Sequence, residues 1–255
     1  MPNLASDIAI PLGSGPSGQL YYALDLEAAP GSPSTIAVSR ATSLSQAGSI
    51  VIYDGATPRP TTLSGVNGYP QPLWSLAWNP SGGDLYGAYN QGYSDPMVVL
   101  SVNSSGVQLT ESSQPVLMGN IQYSALTGYV YGNGGQIFNP STNTTGNHLP
   151  VNVVAGGVFS GESAPLTVDD TLGMAWVVTA AINNPSQQMT IEAFDLRTNA
   201  LLGSIAIPNV TGTPVKLIRW GSNGLAFLTS GIQGPQQGDG VYIVRGAFVT
   251  TPSLQ

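Results

Sequence analysis

The sequence predicts an all-β chain: a single β-propeller of five four-stranded blades, closed by its N-terminal strand. Three observations point there. No window long enough for a helix carries apolar residues at i, i+3, i+4 and i+7 without an interrupting Gly or Pro. Short runs rich in Val, Ile, Tyr and Thr are instead bounded by Gly, Pro, Asn and Ser clusters, as strands are. Finally, a strand–turn–strand unit recurs five times at a period of about 48 residues, the spacing of propeller blades.

The five hairpins run in order. They are Ala23–Val38 around Pro30-Gly31, Leu76–Tyr89 around Pro80–Gly83, Ile121–Tyr131 around Leu126-Thr127, Leu166–Val178 around Asp170–Gly173, and Leu217–Leu228 around Ser222–Gly224. Turn centres at 30, 81, 127, 171 and 222 lie 51, 46, 44 and 51 residues apart. A third strand follows each hairpin: Ser49–Asp54, Met97–Asn103, Gln136–Asn139, Thr190–Asp195 and Val241–Arg245. A fourth, outer strand is clearest at Leu201–Pro208. Its tetrapeptide Ile205-Ala206-Ile207-Pro208 recurs as Ile8-Ala9-Ile10-Pro11, although no earlier blade precedes it. The last unit, conversely, shows no outer strand of its own.

Segment Ser6-Asp7-Ile8-Ala9-Ile10-Pro11 is therefore expected to close the last blade, or to join a neighbouring subunit, removing an exposed edge. The expected blades are 20–66, 67–115, 116–155, 156–212, and 213–249 plus 6–11, all within one domain, 1–255. A piece of a larger propeller is the competing reading, since seven blades at this period need about 340 residues.

Composition excludes several functions. The chain carries 6 Lys+Arg against 13 Asp+Glu, a formal charge of -7, and only 7% charged residues. Average domains have roughly 25%. No basic face exists for a nucleic-acid backbone or an anionic membrane surface. No apolar run is long enough for a membrane helix, so no membrane insertion is expected. Met1–Asp7 lacks the n- and h-regions of a signal peptide, so a mature or engineered form, or one whose targeting signal has been removed, is expected. With no Cys and a single His, disulfides, thiolate chemistry and Cys- or multi-His metal sites are excluded; no cofactor is expected. One Lys and abundant Ser, Thr, Asn and Gly point to an extracellular or cell-surface location. Three sequons, at Asn103, Asn143 and Asn209, are candidate N-glycosylation sites, with chance occurrence in a Ser/Thr-rich chain as the alternative.

Phe194–Pro208 (FDLRTNALLGSIAIP) resembles the third-strand turn and outer strand of the bacterial YVTN/YncE-like propeller repeat family. Asp84–Asn90 and Gly128–Asn133 are similar to degenerate versions of that family's second strand, and Gly212–Gly231 with Val241–Arg245 to a succeeding blade. The likeness extends to propellers of large secreted bacterial surface proteins, through Pro30–Arg40 and Ile50–Pro60. It implies the fold and a surface context; it implies no activity and supplies no catalytic residues.

Candidate chemistry is sparse. His148 is the only possible base for a Ser-His-Asp triad, and no strand–turn–helix nucleophile elbow accompanies it. Glycan hydrolysis needs converging carboxylates, and Asp25/Glu27, Asp84 and Asp169-Asp170 are the candidates. Asp84 and Asp169-Asp170 recur at equivalent hairpin turns, and Asp54 and Asp195 at equivalent third-strand turns, which favours turn chemistry. Trp78, Trp176 and Trp220 read as core; Tyr69, Trp74, Tyr89 and Tyr93 as a candidate sugar-stacking or protein-contact patch. The expected function is a non-catalytic extracellular module for structure, self-assembly or binding. Its partner would be itself, as homo-oligomer or filament, or an extracellular protein or glycan. A glycan-active hydrolase using axial carboxylates is the alternative.

Overall fold

The computed structural model describes residues 9–43, 48–64, 72–89, 97–113, 119–151, 164–179, 189–230 and 240–251. Five antiparallel sheets follow one another along the chain. In the first, β1 (Tyr22–Ala29), β2 (Ser32–Ala41), β3 (Gly48–Asp54) and β4 (Thr57–Pro58) pair in order, and β5 (Leu63–Ser64) also pairs with β3. The second holds β6 (Ser75–Trp78), β7 (Asp84–Ala88), β8 (Met97–Asn103) and β9 (Gly106–Ser113). The third holds β10 (Ile121–Ser124), β11 (Tyr129–Gly132), β12 (Gln136–Asn139) and β13 (Thr144–His148). The fourth holds β14 (Leu166–Asp169), β15 (Met174–Thr179), β16 (Met189–Asp195) and β17 (Leu201–Ile207). The fifth has three described strands, β18 (Thr213–Trp220), β19 (Gly224–Ser230) and β20 (Gly240–Arg245). A single helical turn, α1 (Ala247–Thr250), follows it.

Turn chemistry sets these boundaries. The third strands end on side chains that accept hydrogen bonds from the backbone two residues on: Asn103 from Ser105, Asn139 from Ser141, and Asp195 from Arg197. Asn143 and Asn199, four residues beyond Asn139 and Asp195, take φ of 53° and 58°, the left-handed region that Asn tolerates.

The chain divides into two compact units, Met1–Gln114 with the first two sheets and Pro115–Gln255 with the other three. In the first unit, Ala37, Ile50 and Ile52 pack against Leu76, Trp78, Leu85, Val98 and Leu100 of the second sheet. The other face of the first sheet carries Val38, Val51 and Tyr53, against which Ile10 and Leu12 pack. Arg40 donates to the Leu12 carbonyl at 2.5 Å and holds that segment in place. Ser6–Ile8 of the expected closing strand lie outside the described residues, and Ala9–Pro11 form no strand.

In the second unit, β15 is buried on both faces. Ala175 and Val177 meet Tyr131 and Ile137 of the third sheet; Met174, Trp176 and Val178 meet Leu217, Leu225 and Phe227 of the fifth. This is why β15 reads as a continuous apolar run rather than an alternating one. Each such large side chain contributes roughly 1.5–3 kcal/mol on burial. Val249 of α1 is fully buried in the same cluster, so the turn closes the end of the core after β20.

Candidate functional site

The carboxylates that a hydrolase would need are the natural place to look for chemistry. Asp25 lies on β1, and its Oδ2 accepts the backbone N–H of Leu76 at 2.8 Å. Two residues on, the Glu27 carbonyl accepts the indole N–H of Trp78 at 3.1 Å. Both bonds run from the first strand of one sheet to the first strand of the next, at a sequence separation of 51. Gln122 on β10 plays the same part towards β14, its Oε1 accepting the Val168 N–H at 2.9 Å across 46 residues.

Asp170 returns the contact from the other side. It accepts the Ser124 hydroxyl at 2.5 Å and the Ala125 N–H at 2.6 Å, 46 and 45 residues away. Asp169 forms an ion pair with Arg219 at 2.9 Å across 50 residues, while its Oδ1 caps the turn N–H groups of Thr171 and Leu172. Arg219 further donates to the carbonyls of Gly224 and Ser222 and lies 4.9 Å over the Trp176 ring. These separations match the repeat period read from the sequence. A polar side chain therefore staples the first sheet to the second, the third to the fourth, and the fourth to the fifth.

Asp84, Asp54 and Asp195 serve turns within a sheet. Asp84 accepts from Asn79 at 3.1 Å. Asp54 accepts the Thr35 hydroxyl at 2.7 Å and pairs with Arg59 at 2.9 Å, and these partners hold its carboxyl at about 2. Burial pushes the Asp195 carboxyl up, but the N–H and hydroxyl of Thr198 and the N–H of Arg197 outweigh it and leave it below its ordinary value. Burial raises the Tyr131 phenol. Glu192 is buried on β16, a position the sequence did not single out.

The remaining candidates disperse. His148 is exposed on β13, where it pairs with Gln136, rather than in the turn its sequence context suggests. Of the aromatic patch, Tyr69 and Tyr93 lie outside the described residues, Tyr89 is buried and Trp74 half-buried. Trp78 and Trp176 are core residues as expected, but Trp220 is not: it is exposed, with the Arg245 guanidinium 4.0 Å over its ring. Its alternation on β18 looks like a core pattern, yet it is not among the buried residues. Asn103 and Asn209 are exposed and Asn143 half-exposed, each at a strand end or turn. Among the described residues, no group of three His, Cys, Asp or Glu side chains is placed to hold a metal ion. No described helix is long and apolar enough to cross a membrane.

No family model and no curated protein matches the chain. Solved structures do. Hydrazine synthase from Kuenenia stuttgartiensis is similar over 95% of this chain and 65% of its own, at 12% identity and a TM-score of 0.61. A chain of the mitotic checkpoint complex is similar over 91% and 65%, at 13% identity and 0.59. The Cps50 (Swd1) β-propeller domain of Myceliophteria thermophila is similar over 82% and 62%, at 13% identity and 0.55. The chain thus spans about two thirds of the length of these proteins. At such identities the likeness shows the fold alone, a β-propeller built here from five antiparallel sheets.

Proposed function

We propose that the protein is a non-catalytic module working outside the cytoplasm, at the cell surface or in an extracellular fibre, for structure, self-assembly or binding. The observation that carries this reading is the engagement of the candidate acids. Asp25, Asp169 and Asp170 are spent on bonds between sheets, at separations equal to the repeat period. A catalytic pair has to be free to exchange protons and is not repeated blade by blade. The resemblance to YVTN/YncE-like surface propellers supports the location, as does a chain with one Lys and no Cys.

Two experiments test it. A panel of polysaccharides and aryl glycosides is expected to show no turnover above buffer. Hydrolysis that disappears in Asp25→Asn or Glu27→Gln would establish the hydrolase reading instead. Antibody against the protein is expected to label intact cells or the culture medium, and signal confined to the cytosolic fraction would remove the extracellular part. Within this reading Ser6–Pro11 closes the last blade or joins subunits by pairing on assembly, since Ala9–Pro11 form no strand within the chain. Its sequence supports that role, since Ile8–Pro11 repeats Ile205–Pro208, most of which lies in the outer strand β17.

A further inference from the structure

The outer edges of the first and second sheets are tied together by a short piece of chain. After β3 the chain returns beside it as β4 and β5. Tyr53 pairs with Pro58 and Asp54 with Thr57; further back, Ser49 pairs with Ser64 and Ile50 with Leu63. Between these two sets the register slips by two residues. Arg59–Thr62 therefore holds two residues more than β3 needs opposite it, and the excess loops out as a bulge. Pro60 suits that place, where no ladder bond calls for its missing N–H.

The bulge lands on the turn between β8 and β9. Thr61 donates its N–H to the Ser105 carbonyl at 2.7 Å, and its own carbonyl accepts the Val107 N–H at 3.2 Å. That is one complete step of a parallel ladder, the bridge of Thr61 with Gly106. Arg59 is anchored on both sheets. Its N–H meets the Ile52 carbonyl at 2.8 Å, and its guanidinium meets Asp54 at 2.9 Å and the Asn103 carbonyl at 2.7 Å. The landing place is shaped for close approach: Gly106 has φ of 132°, and a Cβ there would run into the Thr61 carbonyl oxygen.

We infer that Arg59–Thr62 is a clasp between the first two sheets, which lifts off the second sheet and reseats while both sheets stay folded. Three hydrogen bonds hold it to the second sheet among the described residues, and none of its four residues is buried. Segments with so few apolar contacts open at free energies far below that of global unfolding. The two-residue excess supplies the slack, so the bulge lifts without pulling β4 or β5 off β3. The inner end of the same boundary is built differently. There Asp25 holds the Leu76 N–H and the Glu27 carbonyl holds the Trp78 indole, with Trp78 buried in the apolar cluster between the sheets. One boundary thus has an inner edge fixed by burial and an outer edge fixed by a releasable clasp.

Native-state hydrogen exchange on the full chain, read amide by amide by NMR in rising sub-denaturing urea, tests this. Amides freed by a local opening ignore urea, because little surface is exposed; those that need unfolding speed up with it. The Arg59, Thr61 and Val107 amides are expected in the first group and the amides of the β2–β3 ladder in the second. Thr61→Pro removes a donor from the clasp without altering the second sheet. Exchange at Arg59 and Val107 should then quicken by about tenfold, with the ladder unchanged. Gly106→Ala, which sets a methyl against the Thr61 carbonyl, should quicken Thr61 likewise. Urea-dependent exchange at Thr61 and Val107 in step with the ladder overturns the clasp, since the segment then moves only with its sheets. Exchange at Val107 that Thr61→Pro leaves unchanged overturns it too. The urea series needs no substitution, so it decides even where a variant unfolds.

Discussion

Removing the Arg219 guanidinium tests whether the staples between sheets hold the fold. In Arg219→Met the stem volume is kept, but four interactions go: the ion pair to Asp169 at 2.9 Å, two donations to the Gly224 and Ser222 carbonyls, and the contact over Trp176. Both partners of the pair are less than a fifth exposed. Breaking a fully buried pair from one side costs about 3–5 kcal/mol. The residual exposure, and the turn N–H groups that still solvate Asp169, reduce this to roughly 2–3 kcal/mol. At about 2–4 °C per kcal/mol for a domain of this size, the melting temperature should fall by about 5–10 °C.

Differential scanning calorimetry reads the shift. The companion Asp169→Asn retains the turn bonds and should cost less, roughly 1 kcal/mol. In the double variant the two losses should overlap by at least about 0.5 kcal/mol, as they do for groups in direct contact. A fall of under 1 °C in Arg219→Met, or strict additivity of the pair, would falsify the assignment of a stabilising staple at this boundary.

Acid should do little. Asp54 has a folded-state value of about 2, below its ordinary 3.8, so its contribution is present above about pH 4 and is lost as pH falls through 2. Its side chain is half exposed, which limits that contribution to under about 1 kcal/mol. Asp195 is shifted the same way. The β-sheet circular dichroism is therefore expected to persist from neutral pH to about pH 3, and a sharp transition above that contradicts the assignment. Trp176 is fully buried between the fourth and fifth sheets, so Trp176→Ala should cost about 3–5 kcal/mol in urea unfolding, and a loss below 1 kcal/mol would mean the two sheets do not pack there. At Asn199, with φ of 58°, replacement by Gly should be nearly neutral and by Val should cost about 1–2 kcal/mol. Equal melting temperatures for the two variants would show the turn is not left-handed.

What the amino-acid sequence by itself determined is local. The hairpins, the third strands and the outer strand Leu201–Pro208 were legible because each depends on neighbours a few residues away: alternating burial, an Asx or Gly at the turn, a Pro at the end. The run at β15 likewise announced a strand, and only the sheets flanking it show it buried on both faces. The period of about 48 residues announced a propeller, since one unit cannot bury its own faces.

Only the tertiary structure decided what lies across a sheet boundary. Asp25, Asp169 and Asp170 read as candidate acids, and their partners Leu76, Arg219 and Ser124 stand 46 to 51 residues away. Nothing in a short window distinguishes such a staple from a free carboxylate, because the bond depends on how two sheets stack. The same holds for Trp220. Its alternating strand looks like Trp176's, and the difference between a core residue and an exposed one is whether another sheet arrives on that face.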